Sequence, residues 1–160
     1  MRVLYDTPTA TEFVGLRVAA GLSPRKIEHA EIGLANSIFT ATIRSDDNEL
    51  IAMGRIIGDG GCNFQVVDIA VRPDHQGKGL GKKIMEHITT YIETAIFEDS
   101  YVSLIADGEA HKLYAQYRFE PVGPSGRGMY YERQKKKLEI ILVSNCRQSL
   151  EKLLFYFKLI

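Results

Sequence analysis

Cysteine is scarce in this chain, and the two present, Cys62 and Cys146, have neither CxxC spacing nor a metal-type His/Cys partner nearby. A disulfide framework and a structural zinc site are therefore not expected. Neither sign of charge is in excess: 20 basic residues balance 20 acidic ones, so no overall field draws the molecule toward nucleic acid or an anionic membrane. Any anion site has to be built locally. No stretch approaches the roughly 20 apolar residues of a spanning helix, and Asp6, Thr7 and Pro8 stand where a secretory leader needs an apolar run. The expectation from these absences is a soluble, cytoplasmic protein with no metal, no nucleic-acid partner and no membrane partner. With 160 residues, 45% of them hydrophobic, it has material for one domain with a substantial core.

What is present is a sequence of well-marked elements. Residues 2–6 suit a short strand, and Thr7-Pro8 offers a helix cap and first-turn proline before "TATEFVGLRVAAG". Ser23-Pro24 repeats that start signal ahead of a less regular helix running to about Asn36. "SIFTATIR" (37–44), "LIAMGRIIG" (50–58) and "NFQVVDIAVR" (63–72), separated by "SDDNE" and "DGG", predict three strands joined by hairpins. Ile84, Met85, Ile88, Tyr91, Ile92 and Ala95 recur at three- and four-residue intervals and predict an amphipathic helix over 79–96. "YVSLIA" (101–106) suits a strand, 108–117 a short helix, and "FEPV" (119–122) with "GMYYER" (128–133) closing strands. The fold class that follows is α+β, one mixed sheet with helices on its faces and no internal repeat. Residues 1–133 read as the domain. Residues 134–160 depart from the pattern and end in an apolar run that needs a partner surface. A fold-back helix, a homodimer contact and an extension without selected function all remain open for them.

Between the third hairpin strand and the amphipathic helix stands "RPDHQGKGLGKK", with Gly77, Gly79 and Gly81 at alternate positions and Lys78, Lys82 and Lys83 among them. Glycine weakens regular elements, so its concentration at a strand-to-helix boundary points to geometry. Such a loop turns successive N–H groups outward at a helix N-terminus, where dipole and unpaired donors both favour a phosphate. A Walker A loop is excluded because Gln76 and Lys83 stand at required positions, and a Rossmann fingerprint because the spacing is GxGxG and follows a meander. A glycine turn without ligand stays open on spacing alone.

Gln76-Gly77-Lys78-Gly79-Leu80-Gly81 resembles the [Gln/Arg]-x-x-Gly-x-[Gly/Ala] signature of the GNAT superfamily of N-acetyltransferases, and "DGEAHKLYAQYRFEPVG" (107–123) is similar to that family's second segment, Asn-x-x-Ala-x-x-x-Tyr-x-x-x-Gly-Phe. Ala110, Tyr114 and Phe119 fit it; Asp107 replaces asparagine and Arg118 replaces glycine. The resemblance implies a GNAT-like, mostly antiparallel sheet with helices on both faces. It implies acetyl-CoA as donor, its pyrophosphate on the backbone of residues 76–81, with Lys82 adding charge and Asp107 beside the pantetheine arm. It further implies that strands 63–72 and 101–106 splay, exposing the backbone of Ile69 and Val71 to the pantetheine amide and thioester carbonyl.

The implied function is transfer of the acetyl group to a primary amine, of a small molecule, directly within a ternary complex. The alternatives are a protein or peptide N-acetyltransferase and a non-catalytic acyl-CoA-binding module. Tyr114 is the candidate acid, or core packing without the resemblance. Asp68, a carboxylate amid "VV" and "IAV", is the candidate base, with pairing to an arginine as the equal alternative. Glu28, His29 and Glu31 would line the acceptor entrance or form a solvated helix face, and Ser103 is a buried hydroxyl or a group facing the thioester. No Ser-His-Asp or Cys-His set assembles, which disfavours an acyl-enzyme.

Overall fold

The computed structural model describes residues 1–124 and 126; the expected strand at 128–133 and the segment 134–160 lie outside the described residues. Its elements follow in the order β1 (Arg2–Leu4), α1 (Ala10–Ala19), α2 (Ile27–Ala35), β2 (Phe39–Arg44), β3 (Leu50–Gly58), β4 (Asn63–Val71), α3 (Leu80–Ala95), β5 (Tyr101–Leu104) and α4 (His111–Tyr114). The strands form one sheet in chain order. β1 to β4 pair antiparallel, and β4 pairs parallel with β5. The architecture is the expected α+β class.

The hairpins close on local chemistry. Between β2 and β3, Asn48 takes a left-handed conformation (φ 66°) while Ser45 N–H donates to Glu49 O at 2.9 Å. Between β3 and β4, Asp59 Oδ1 accepts from the amides of Gly61, Cys62 and Asn63 at 2.8–3.0 Å. Those donors hold the Asp59 carboxyl down at about 2.

Helix starts differ from the expected ones for identifiable reasons. α1 is capped by Thr9, not Thr7: Thr9 Oγ1 accepts from Glu12 N–H at 3.2 Å and Glu12 returns the favour to Thr9 N–H at 2.9 Å. Thr7 has Ala10 three residues on and cannot form that reciprocal pair. Ser23-Pro24 likewise stays outside α2, which begins after Lys26; the Ser23 carbonyl is engaged by Arg17 Nε and Nη2 at 3.2 and 3.0 Å. Residues 119–122 are not a strand. Phe119 N–H is committed to Tyr114 O at 3.3 Å in the turn that ends the preceding helical segment, and Pro121 has no donor to give a ladder.

Two buried clusters flank the sheet. Phe13 and Leu16 of α1 and Ala30 and Leu34 of α2 gather with Leu50, Met53 and Ala70. On the other side Ile84, Met85 and Ile88 of α3 pack with Ile43, Ile51, Ile56, Phe64 and Val66. Each such fully buried side chain contributes about 1.5–3 kcal/mol, so α3 is fixed to the sheet far more firmly than its sequence propensity alone could manage.

That docking depends on Gly54 in β3. A Cβ there would lie 2.5 Å from Ile69 Cδ1 and 2.6 Å from Ile84 Cγ2. Replacing Gly54 by Ala should therefore destabilise the fold by about 1–3 kcal/mol through overpacking; denaturant unfolding of the two proteins measures it, and equal midpoints would contradict this packing.

Candidate active site

β4 carries a defect at its centre. Its register with β3 runs Ala52↔Val71 and Met53↔Ala70, then resumes at Arg55↔Val67, so Asp68 and Ile69 together face Gly54. Asp68 sits at φ 57°, a conformation that is costly for a residue with a Cβ and typical of a bulge. The distortion is held from two sides. Arg55 Nε and Nη2 donate to Asp68 Oδ2 at 2.8 and 2.7 Å, and Arg17 Nη1 donates to Asp68 Oδ1. The three side chains are only 8–9% exposed, and Phe13 lies beneath both guanidiniums, 5.5 and 5.1 Å from its ring centre.

The parallel pairing of β4 with β5 ends just before this bulge, at Val66↔Leu104. Beyond it the two strands part, and among the described residues the β5-facing edge of β4 at residues 67–71 has no strand to bond. A cavity of about 530 Å³ opens there, walled by Val67, Asp68 and Ile69 on one side and by Leu104, Ile105 and Asp107 on the other. Arg17, Arg25 and Tyr114 complete its lining. A second cavity of about 440 Å³ lies over Ile69, Val71, Gln76, Gly77, Gly79, Leu80, Gly81 and Lys82. Ala20, Ile69, Ala110 and Tyr114 border both, so the two are consecutive parts of one channel.

The glycine loop joins β4 to α3 through two left-handed turns. Gly77 and Gly79 are left-handed (φ 74° and 77°) with Lys78 between them outside that region, the alternation that forms a backbone nest. Nothing lies within 4 Å of a Cβ added at either glycine. Gly81 serves differently: its added Cβ would meet Leu113 Cδ2 at 3.4 Å, so it lets α3 approach α4. Among the described residues no main-chain oxygen accepts from the amides of residues 77–82, whereas Lys83 N–H already donates to Gly79 O. Gln76 is the exception within the motif. Its amide donates to Pro73 O at 3.2 Å and its side chain to Val71 O at 3.0 Å, so Gln76 braces the loop, and the Val71 carbonyl is occupied. Lys78 Nζ is turned back to Asp74 O at 2.9 Å.

Tyr114 is 9% exposed and borders the channel where its two parts meet. Burial, then the nearby Asp107 carboxylate, push its phenol above the ordinary value. It therefore remains protonated at neutral pH. Arg118, in the place where the resemblance has glycine, adopts the left-handed turn all the same (φ 68°). The side chains of Glu28, His29 and Glu31 are exposed and line neither part of the channel, and Ser103 Oγ donates to Phe64 O at 3.4 Å, outside it.

Arg17, Arg55 and Arg25 did not emerge as site residues from the sequence. The available signal was Arg55 amid the apolar run "LIAMGRIIG", facing an equally misplaced Asp68 on the next strand. Among the described residues no group of three metal-ligating side chains occurs, and no helix is long and apolar enough to cross a membrane.

Residues 36–121 match the acetyltransferase (GNAT) domain family. The chain is similar to a crystallised probable acetyltransferase from meticillin-resistant Staphylococcus aureus, with 50% identity and a TM-score of 0.77 over 82% of this chain and 98% of that one. It is 29% identical to an uncharacterised N-acetyltransferase of Gracilaria tenuistipitata var. liui, over 71% of this chain and 63% of the relative. It is 28% identical to the histone acetyltransferase TAP1 of Glycine max, over 69% of this chain and 52% of the relative. The matched stretches thus span about half to just under two thirds of these curated relatives' length.

Removing the Asp68 charge leaves two guanidiniums facing each other without their shared carboxylate. Asp68→Asn should cost about 3–5 kcal/mol of stability, the usual penalty for breaking a buried ion pair by one partner. Thermal unfolding tests this, and a variant as stable as the parent would show that the clasp does not hold the bulge.

Proposed function

The chain belongs to the GNAT family of acetyltransferases, and from that premise we propose that it moves the acetyl group of acetyl-CoA to a primary amine of a small molecule, directly, in a ternary complex. The observation that carries this reading is the channel: among the described residues, a nest of unpartnered amides at one end, a strand edge without a partner strand along its middle, and a buried protonated tyrosine where its two parts meet.

In this reading the pyrophosphate lies on the amides of residues 77–82, with Lys82 beside it, and glycine at 77 and 79 lets its oxygens come close. The pantetheine arm follows the freed edge of β4, as a short peptide would add to a sheet, past Ile69 and Val71 toward Asp107. An amide of the bulged segment donates to the thioester carbonyl, where negative charge develops as the amine attacks. The nitrogen forms its bond to the acetyl carbon and gives up a proton to water, the C–S bond breaks, and the thiolate leaves within reach of the Tyr114 hydroxyl. A phenol raised above about 10 is a weaker acid than a thiol near 8.5, so Tyr114 stabilises the thiolate as a hydrogen-bond donor, and the thiolate takes its proton later from solvent.

Asp68 takes a different part from that of a base. Both oxygens of its carboxylate are taken by the Arg17 and Arg55 guanidiniums, so we assign it to holding the bulge, and the amine reaches the thioester already neutral, its proton having gone to water. The cavity volume of about 530 Å³ is on the scale of a small-molecule pocket, which favours a small acceptor. The histone acetyltransferase name of the Glycine max relative is the observation on the side of a protein acceptor.

Thiol release measured over a panel of free amines and of lysine-containing and N-terminal peptides tests the reading. Free amines should be turned over and peptides much more slowly, and Tyr114→Phe should lower kcat by about 10²-fold with little change in KM for acetyl-CoA. Preference for peptides would overturn the acceptor assignment. Tight acetyl-CoA binding with no acceptor acetylated, and no effect of Tyr114→Phe, would mark a non-catalytic binding module.

A further inference from the structure

The charges around the wider part of the channel are not evenly spread. Three guanidiniums, those of Arg17, Arg25 and Arg55, stand in or directly behind its wall against two carboxylates, Asp68 and Asp107. Asp68 is shared by Arg17 and Arg55, so this buried triad keeps one positive charge in excess where water has little access. Among the described residues Arg17 also has hydrogens to spare: its Nε, Nη1 and Nη2 each make one kind of contact, to Ser23 O and Asp68, which leaves one hydrogen on each terminal nitrogen uncommitted.

Arg25 adds to this excess. It lies on the loop between α1 and α2, lines the same cavity, and among the described residues its side chain bonds only to the neighbouring Pro24 O, at 3.1 Å. It is close enough to Arg17 for the two charges to oppose each other, which contributes, after burial, to the lowering of Arg17. The negative charge lies elsewhere: Asp107 follows β5, next to Tyr114, on the wall that would face the thioester. The cavity is thus positive on the α1–α2 wall and negative on the β5–α4 wall.

We propose that the acceptor is an amine that also carries an anionic group, a carboxylate or a phosphate, with Arg25 as the specificity-determining residue that binds the anion and Arg17 as its buried second donor. This rests on the transferase reading above and narrows its substrate class. A planar guanidinium matches both anions by paired hydrogen bonds. With the anion held there, the amino end is directed across the cavity toward Asp107 and Tyr114. A neutral or purely cationic amine would leave the excess guanidinium charge uncompensated and gain nothing from that wall.

The test uses matched pairs on the full chain: serine and phosphoethanolamine each against ethanolamine, and phenylalanine against phenethylamine. Thiol release gives kcat/KM, and calorimetry on the CoA-loaded protein gives binding whether or not turnover occurs. The anionic member of at least one pair should be preferred by about tenfold or more, mainly through KM, and the serine and phosphoethanolamine arms separate carboxylate from phosphate. Arg25→Gln should bring the ratio within each pair close to one, and Arg25→Lys should restore part of it. Equal use of both members of every pair, preference for the neutral members, or an Arg25→Gln variant that slows both members alike would overturn the assignment. Selective binding of the anionic amines without acetylation of any would uphold the anion site and sink the transferase reading instead.

Discussion

The structure turns on one shared carboxylate. Asp68 lies where β4 would otherwise continue its pairing, in a backbone conformation that few residues with a side chain adopt, and two arginines from different parts of the chain hold it there. Without that clasp the bulge would have little reason to persist, since a regular ladder satisfies more backbone groups than a distorted one. With it, β4 and β5 part after Val66↔Leu104, and the sheet acquires an open seam lined by main-chain donors and acceptors. Gly54 is the matching concession in β3, giving Ile69 and Ile84 the space that a methyl group would deny them.

Much of this was legible in the sequence, and the boundary between what was and was not follows the range of the interactions. Hairpins and the amphipathic helix α3 depend on neighbours within a few residues, and their positions agree with the pattern of apolar and turn residues. The glycine loop was legible because Gly77 and Gly79 have a local conformational reason to be glycine, and Gly81 a packing one. Helix starts were less so, because two caps compete within three residues at Thr7 and Thr9, and only the presence of Glu12 decides between them. The role of Asp68 was the least legible: Arg17 and Arg55 are 51 and 13 residues away in sequence, and no local rule pairs them with it. Arg118 shows the opposite limit, a left-handed position filled without the glycine that local preference demands.

The same geometry divides the chemical labour. In the proposed reading, backbone groups, which have no pKa to shift at neutral pH, serve the donor's phosphates and the thioester oxygen as fixed partners, and charged side chains serve the acceptor. Tyr114 stands between, its proton secured by burial and by Asp107. A residue kept protonated in this way can offer a hydrogen bond throughout the reaction without being consumed by it, which suits a leaving thiolate that is a weaker base than the phenolate.

The claim on which the account rests is that the amides of residues 77–82 are the receptor for a diphosphate. Backbone amide resonances followed by NMR during titration with CoA, and separately with pantetheine lacking the nucleotide, test it most directly. The account predicts that CoA moves the resonances of residues 77–82 strongly and together, and that pantetheine leaves them in place. Saturable CoA binding that leaves those amides unmoved would contradict it.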